Sequence, residues 1–325
     1  MVIPTDSKKI PPLRIASIDI GTNTILLLVA EVEKGTFRPL FEKETIVRLG
    51  DGLQKTGVIS PEAMERGLQT LNHYLGHCQA LGAQKVFAVG TSALREAKNA
   101  QDFLKLVNDR IGLPIQIISG EEEARLSFLA VVRDLKDPNQ SILVVDVGGG
   151  STEFIAGKGD RVEQWASLTL GSVRFMEQFL RSDPVQEKEW EEMEKEIRKS
   201  LSQIPRPRGP FSRVAVGGTA TTLASVEQGL NEFDFKKIHH FVLKQEALEN
   251  QLRLYRSKTI EERRKIPGLP PSRADVILAG AAILYLAMKE LHSPSILISC
   301  HGIRYGLLYE KLNFPISNCG LGIAD

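Results

Sequence analysis

The chain has 325 residues, 42% hydrophobic and 25% charged, an ordinary globular balance with length for about two domains and a core that needs no disulfide or metal staple. Lys and Arg total 41 against 40 Asp and Glu, a formal net charge of +1, which excludes the global basic footprint of a nucleic-acid binder, so a polyanion site must come from local placement of charge. Cys78, Cys300 and Cys319 are odd in number and in no metal-ligand spacing, and they read as reduced thiols rather than disulfides or zinc ligands.

Residues 1–12 read as a loose leader without an apolar signal core, which leaves the cytoplasm as the default location. "RIASIDIGTNTILLLVAEV" then sets two β-rich apolar runs about a Gly/Thr/Asn turn and predicts a β-hairpin. Ser60-Pro61 is a helix start, with Met64, Leu68, Leu71, Leu75 and Cys78 on its apolar face. A strand is expected at Lys85–Val89, a helix near Gln101–Ile111 and a strand at Pro114–Ile118; Ser119 and Glu122 form a capping box that opens the next helix. Asp137-Pro138-Asn139 is a turn near a domain junction, drawn between residues 13–134 and 135–315.

The second half repeats the plan. "SILVVDVGGGSTEFIAGKG" is again strand, Asp, glycine turn and strand, and Asp19-Ile-Gly-Thr-Asn-Thr aligns with Asp146-Val-Gly-Gly-Gly-Ser without a gap, an internal duplication of domain size. Helices run to about Ile204, broken by "PRPRGP"; a strand at Val214–Val216 leads into Gly217-Gly218-Thr219 at a helix start. Ser272-Arg273-Ala274-Asp275 reads as another helix cap, Val276–Met288 as a buried helix too short to span a bilayer, and Ile296–Ser299 as the last strand. A helix from about Ile303 closes the chain, with a return to the first domain as one arrangement open to it, and residues after Pro315 read as a tail. Mixed strands and helices in this order predict layered α/β domains.

Four strand ends carry glycine turns: Gly21-Thr22-Asn23-Thr24, Gly90-Thr91-Ser92, Gly148-Gly149-Gly150-Ser151 and Gly217-Gly218-Thr219. Such turns let main-chain amides converge on a phosphate without a Cβ in the way. One alone is usually only a turn; four, two of them in matching places of a repeat, point to a shared cleft. Asp19 and Asp146 each end an apolar strand before a turn. Either alone reads as a turn stabiliser, but the matched pair reads as holding Mg²⁺, mostly through water. Glu121, Glu122 and Glu123 favour a helix start by the dipole, and Glu123 is not needed for the cap. Glu153 reads equally as an exposed strand residue or a site acid. Arg48, Arg95, Lys98, Arg125, Arg174, Arg273 and Arg304 are the candidate cations; Arg273 in a first helical turn would oppose the dipole and calls for an anionic partner. No phosphate-loop, nucleophile-elbow or zinc spacing is present, and His239-His240 and His301 stand isolated in the sequence.

These blocks, with "VGTSALREAKNAQDFL", "IISGEEEARLSFLAV", "VAVGGTATTLASV", "SRADVILAGAAIL" and "GIRYGLLYE", resemble the Ppx/GppA phosphatases from about residue 14 to 312. The resemblance implies two duplicated actin-like domains with the site between them. It also implies hydrolytic, Mg²⁺-dependent release of terminal phosphate from inorganic polyphosphate, or from guanosine pentaphosphate (pppGpp) in the same site. It gives Glu123 the role of general base, Glu153 that of a second acid near metal and water, and Asp146 and Asp19 that of metal-linked acids. Gly21–Thr24 and Gly148–Ser151 become phosphate loops, Arg95 a phosphate contact and Arg273 a basic residue facing the cleft. No nucleic-acid or membrane partner is implied, and a homodimer is common in the family. The larger members' C-terminal extension has no counterpart, which weighs against processive action on long polymers. A kinase or ATPase of the same superfamily, or a regulator that binds pppGpp or polyphosphate without turnover, would use the same turns; the Glu123-Ala124-Arg125 pattern favours the phosphatase.

Overall fold

The computed structural model describes residues 12–313 apart from 136, 138, 139, 206 and 208. Most of the expected leader, the tail, Cys319, part of the 137–139 turn and part of the proline-rich break therefore lie outside the described residues.

The first half runs β1 (Arg14–Ile20), β2 (Thr24–Glu33), β3 (Thr36–Ile46), α1 (Leu53–Thr56), α2 (Pro61–Ala80), β4 (Lys85–Gly90), α3 (Ser92–Glu96), α4 (Ala100–Ile111), β5 (Ile115–Ile117) and α5 (Gly120–Val132). The second runs β6 (Ser141–Val147), β7 (Thr152–Lys158), β8 (Arg161–Leu168), α6 (Ser172–Phe179), α7 (Glu187–Leu201), β9 (Ser212–Val216), α8 (Gly217–Glu227), α9 (Phe235–Ile238), β10 (Val242–Lys244) and α10 (Gln245–Arg256). It continues through α11 (Ile260–Arg263), a 3₁₀ turn (Pro271–Arg273), α12 (Ile277–Glu290), β11 (Ser295–Ile298) and α13 (Ile303–Leu312).

The duplication is visible in the sheets. One has the order β3-β2-β1-β4-β5 and the other β10-β11-β9-β6-β7-β8, so β8-β7-β6-β9-β11 repeats the first sheet and β10 is an addition. In each copy the first three strands are antiparallel and the next two lie parallel. This is the actin-like plan of two α/β domains of matching strand order.

Helix assignment crosses the sequence boundary. Ala124, Phe128, Val131 and Val132 of α5 pack on Ile142 and Val144 of β6, while Tyr305, Leu308 and Tyr309 of α13 pack on Ile15 of β1 and Leu28 of β2. The boundary at 134/135 thus separates α5 from the sheet it covers, and α13 returns to the first sheet. Arg125 pairs with Glu310, and Asp134 faces His301, so α5 and α13 run antiparallel between the sheets. The outer faces are covered by α2 and α4 on the first sheet and by α7, α10 and α12 on the second. Val276–Met288 forms most of buried α12, and no helix among the described residues is long and apolar enough to cross a membrane.

Two readings need correction. The strands β3 and β8 were not foreseen: their exposed and half-buried residues lack the apolar run that marks β1 and β6. Ser272–Asp275 does not cap a helix. Pro271–Arg273 makes one 3₁₀ turn, α12 begins at Ile277, and Val276 provides no side-chain cap. The Asp275 carboxylate is drawn instead to Arg48, 2.8 Å away on the other half.

Candidate active site

Strand pleating decides which acids can meet. Ile15, Ser17 and Asp19 alternate onto one face of β1, and Ile142, Val144 and Asp146 onto the matching face of β6. Both faces are the ones that turn toward the α5–α13 pair. Across the first sheet Asp19 stands opposite Leu26, which stands opposite Glu44. Across the second, Asp146 stands opposite Glu153, which stands opposite Ser167. The rungs are equivalent, and only the second carries an acid in its middle position. From α5, Ser127 donates to Asp146 Oδ2 at 2.8 Å, and Glu123, in the first turn, faces the same space.

A single cleft is lined by Asp19, Glu123, Asp146 and Glu153 together with residues from all four glycine turns. Glu153 is buried rather than an exposed strand residue, with Ser167 Oγ donating at 2.7 Å. Burial, then Glu123 and Asp146, push the Asp19 carboxyl up to about 8 against the pull of Arg304. Burial also lifts Glu123, Arg95 draws it back down and Asp146 raises it, leaving it at about 7. Glu153 is raised by burial and by Glu123 and Asp146, against hydrogen bonds from Ser167 and Ser151. Asp146 is raised by burial and held back by Ser127. Four crowded carboxyls with so little countercharge cannot all ionise at low cost without a cation.

Two polar groups at the cleft are left unmatched. Asp19 Oδ1 is buried without a hydrogen-bond partner, and neither Oδ1 nor Nδ2 of Asn23 has one. Buried orphans of this kind cost on the order of 1–3 kcal/mol each, so they fit a site built for a bound cation and a polar ligand.

The two phosphate-loop candidates share one geometry. The Gly21 amide donates to Thr24 O and the Gly148 amide to Ser151 O, each at 3.0 Å, and a Cβ on either glycine would crowd that same carbonyl at 3.1 Å. Gly149 and Gly150 face Thr22, Asn23 and Ser92, so the turns meet across the cleft. Thr91 and Ser92 line it at the start of α3, and Gly217, Gly218 and Thr219 line it at the start of α8.

The cations are distributed differently from the residue-by-residue expectation. Arg273 and Arg304 line the cleft. Arg273 pairs with Glu44, and Arg304 with Glu42 at 2.5 Å. The anionic partner of Arg273 is thus a carboxylate of β3; burial works to raise Glu44, but Arg273 and Arg304 outweigh it and hold the group below its ordinary value. Arg95 is not at the cleft surface: its Nη1 donates to Glu123 Oε2 at 2.5 Å and to Ile118 O at 3.1 Å. Arg174 binds Gly150 O and Glu96, and Arg125 binds Glu310. Arg48 joins Asp275. Lys98 lies exposed outside the cleft lining. Glu42, Glu44 and Ser127 were missed by sequence reading. The i, i+2 spacing of Glu42 and Glu44 would have placed them on one face had the strand been recognised.

The fold and this cleft define a two-domain phosphate-handling protein with its acids between duplicated halves. The chain belongs to the Ppx/GppA phosphatase family, whose model matches residues 28–314. It is 35% identical over 315 residues to a protein of Fusobacterium nucleatum described as a bifunctional 3-dehydroquinate synthase/phosphatase; the match covers 91% of this chain and 46% of that one, so the chain spans about half the length of that curated relative. The crystal structure of the Aquifex aeolicus Ppx/GppA family member is 34% identical, with a TM-score of 0.79 over 93% of this chain and 98% of that one. That of an exopolyphosphatase from Cytophaga hutchinsonii is 26% identical, with a TM-score of 0.83 over 93% and 99%.

Proposed function

We propose that the protein hydrolyses the terminal phosphoanhydride of inorganic polyphosphate, releasing orthophosphate with the help of Mg²⁺. The observation that carries this reading is the unmatched set in the cleft lining, Asp19 Oδ1 and the Asn23 amide, beside two matching glycine turns. Asp19, Asp146 and Glu153 would hold the cation, which when bound supplies charge neutralisation for phosphoryl oxygens. The turns at Gly21–Thr24 and Gly148–Ser151 cradle the terminal phosphate, assisted by Gly217–Thr219. Glu123 orients a water and takes its proton for in-line attack; Arg95 fixes this carboxylate and its charge state, which makes it a positioning residue. Phosphoryl transfer asks mainly for positioning and charge stabilisation, and these residues offer both.

A second reading, pppGpp as substrate, is favoured by one feature. Past Arg273 and Arg304 the cleft opens into a cavity of about 960 Å³ with exposed Phe233 at the shared rim, which offers a nucleoside room and an aromatic face. The kinase and the non-catalytic binder lack such support, because Glu123 and Glu153 both face the cleft.

The test is phosphate release with Mg²⁺ from long-chain polyphosphate, pppGpp and ATP at matched terminal phosphate. Polyphosphate turned over fastest supports the first reading and pppGpp the second; consumption of ATP alone, or of nothing, overturns both. Glu123→Gln should lose on the order of 10²–10⁴-fold in kcat while still binding substrate. Undiminished phosphate release by that variant removes Glu123 from the mechanism.

A further inference from the structure

Outside the cleft, histidines that are far apart in sequence converge on one carboxylate. Asp134 follows α5, His239 and His240 follow α9, and His301 lies between β11 and α13. Asp134 therefore sits where the chain leaves its first half, and His301 where it returns. Asp134 Oδ2 lies 3.1 Å from His239 Nε2 and 2.7 Å from His240 Nε2, and Oδ1 lies 3.5 Å from His301 Nδ1. His301 Nδ1 is buried and makes no hydrogen bond. One ligand atom from each of Asp134, His239 and His301 lies within 4.8 Å of the other two.

The donor set is nitrogen-rich, unlike the all-oxygen cleft, and suits Zn²⁺ and its neighbours rather than Mg²⁺. Metal–ligand bonds of about 2.0–2.2 Å give a tetrahedron with edges of about 3.3–3.6 Å. From the single oxygen Asp134 Oδ1, His239 Nε2 lies at 3.2 Å and His301 Nδ1 at 3.5 Å, already near that size. The geometry points to a site for a borderline-soft divalent transition metal at Asp134, His239 and His301, with His240 as the hydrogen-bonded outer partner of Asp134.

The metal-free state has its own hydrogen bonds. The Cys300 amide donates to His239 Nδ1 at 3.1 Å, so the proton of that ring sits on Nε2 and faces Asp134. Loading moves the single ring proton from Nε2 to Nδ1, with no net proton released from that ring, and gives up the Cys300 bond. Affinity is accordingly below that of a preformed structural zinc site. An occupied site ties the end of α5 to the start of α13 and holds Gly302, Ile303 and Arg304, which line the cleft. A second imidazole pair, His73 and His77 on α2 with Nε2 atoms 3.0 Å apart, is solvent-facing and would bind metal weakly on its own.

The probe is Co²⁺, titrated into the full chain carrying His77→Gln, with Mg²⁺ in excess to occupy oxygen sites. One equivalent should bind with the intense visible bands of tetrahedral imidazole coordination. Adding His301→Gln should remove those bands, and Asp134→Asn should weaken binding about tenfold or more. Circular dichroism melts identify which variants fold, and His239→Asn serves if His301→Gln does not. Weak bands of octahedral oxygen ligation alone, or an equivalent retained by every folded variant, overturns the site.

Discussion

Glu123 and Arg95 lie 28 residues apart in the chain, yet their contact sets the charge state of the proposed base. Burial lifts Glu123 and Arg95 is the group that draws it down, leaving it at about 7. Removing the cation leaves the upward influences unopposed. Arg95→Gln should therefore move the acid limb of the kcat/KM profile to higher pH than in the parent, as a pH–rate series would read directly; an unmoved limb would show that Glu123 does not set it. At this scale the sequence was informative where chemistry sits in a local pattern. Glu123 could be picked by its place before Ala124-Arg125, and the Asp19–Asp146 pair by alignment of the two hairpins. What each cation touches was hidden, because an arginine's partner is set by sheet register and helix docking rather than by its neighbours in sequence. Arg95 turns inward to Glu123, and Arg273 finds Glu44 on a strand that sequence periodicity did not reveal.

Among the elements, the α5–α13 pair carries the most position-sensitive contact. A Cβ on Gly306 would fall on the Leu126 carbonyl, a main-chain atom that cannot swing aside. An alanine in a helix gains about 1 kcal/mol over glycine, but overpacking against fixed backbone costs about 1–3 kcal/mol. Gly306→Ala should thus destabilise despite its better helix propensity, seen as a lowered melting temperature; a raised one would mean that the helices separate without cost. The strongly apolar strands β1, β2, β6 and β7 and the capped helices α2 and α5 were legible from sequence, each having its own local signal. The strands β3, β8 and β10 were not, since they lie at or near sheet margins and need little apolar patterning. The start of α12 was misread because Asp275 answers Arg48 on the opposite half, and no local rule registers so distant a charge.

For the molecule as a whole, the crowded acids make stability depend on pH and cation together. Asp19 and Glu123 have folded-state values raised to about 8 and about 7, above their ordinary range near 4. A carboxyl raised on folding contributes fully below its unfolded value and loses that contribution as pH climbs through the folded one. Chelator-treated protein should therefore grow less stable from about pH 4 to about pH 8, and Mg²⁺ should restore the melting temperature most at the alkaline end. Thermal melts across that range with and without Mg²⁺ check both statements; a flat profile would mean that the acids keep ordinary values. The duplication itself was readable in full from the two hairpins. A return of the last helix to the first half was among the expectations, whereas the crossing of α5 to the second sheet was not, because only packing reveals which sheet a helix serves.

The pairing of Arg273 with Glu44 bears on how fast the cycle can turn. On the proposed function a phosphate arriving at Arg273 takes the place of a carboxylate, and the orthophosphate that leaves is replaced by that same carboxylate. Entry and exit are then exchanges between two anionic partners, so neither state leaves the guanidinium bare. A product that would otherwise cling to an uncovered arginine meets there an internal competitor tethered beside it.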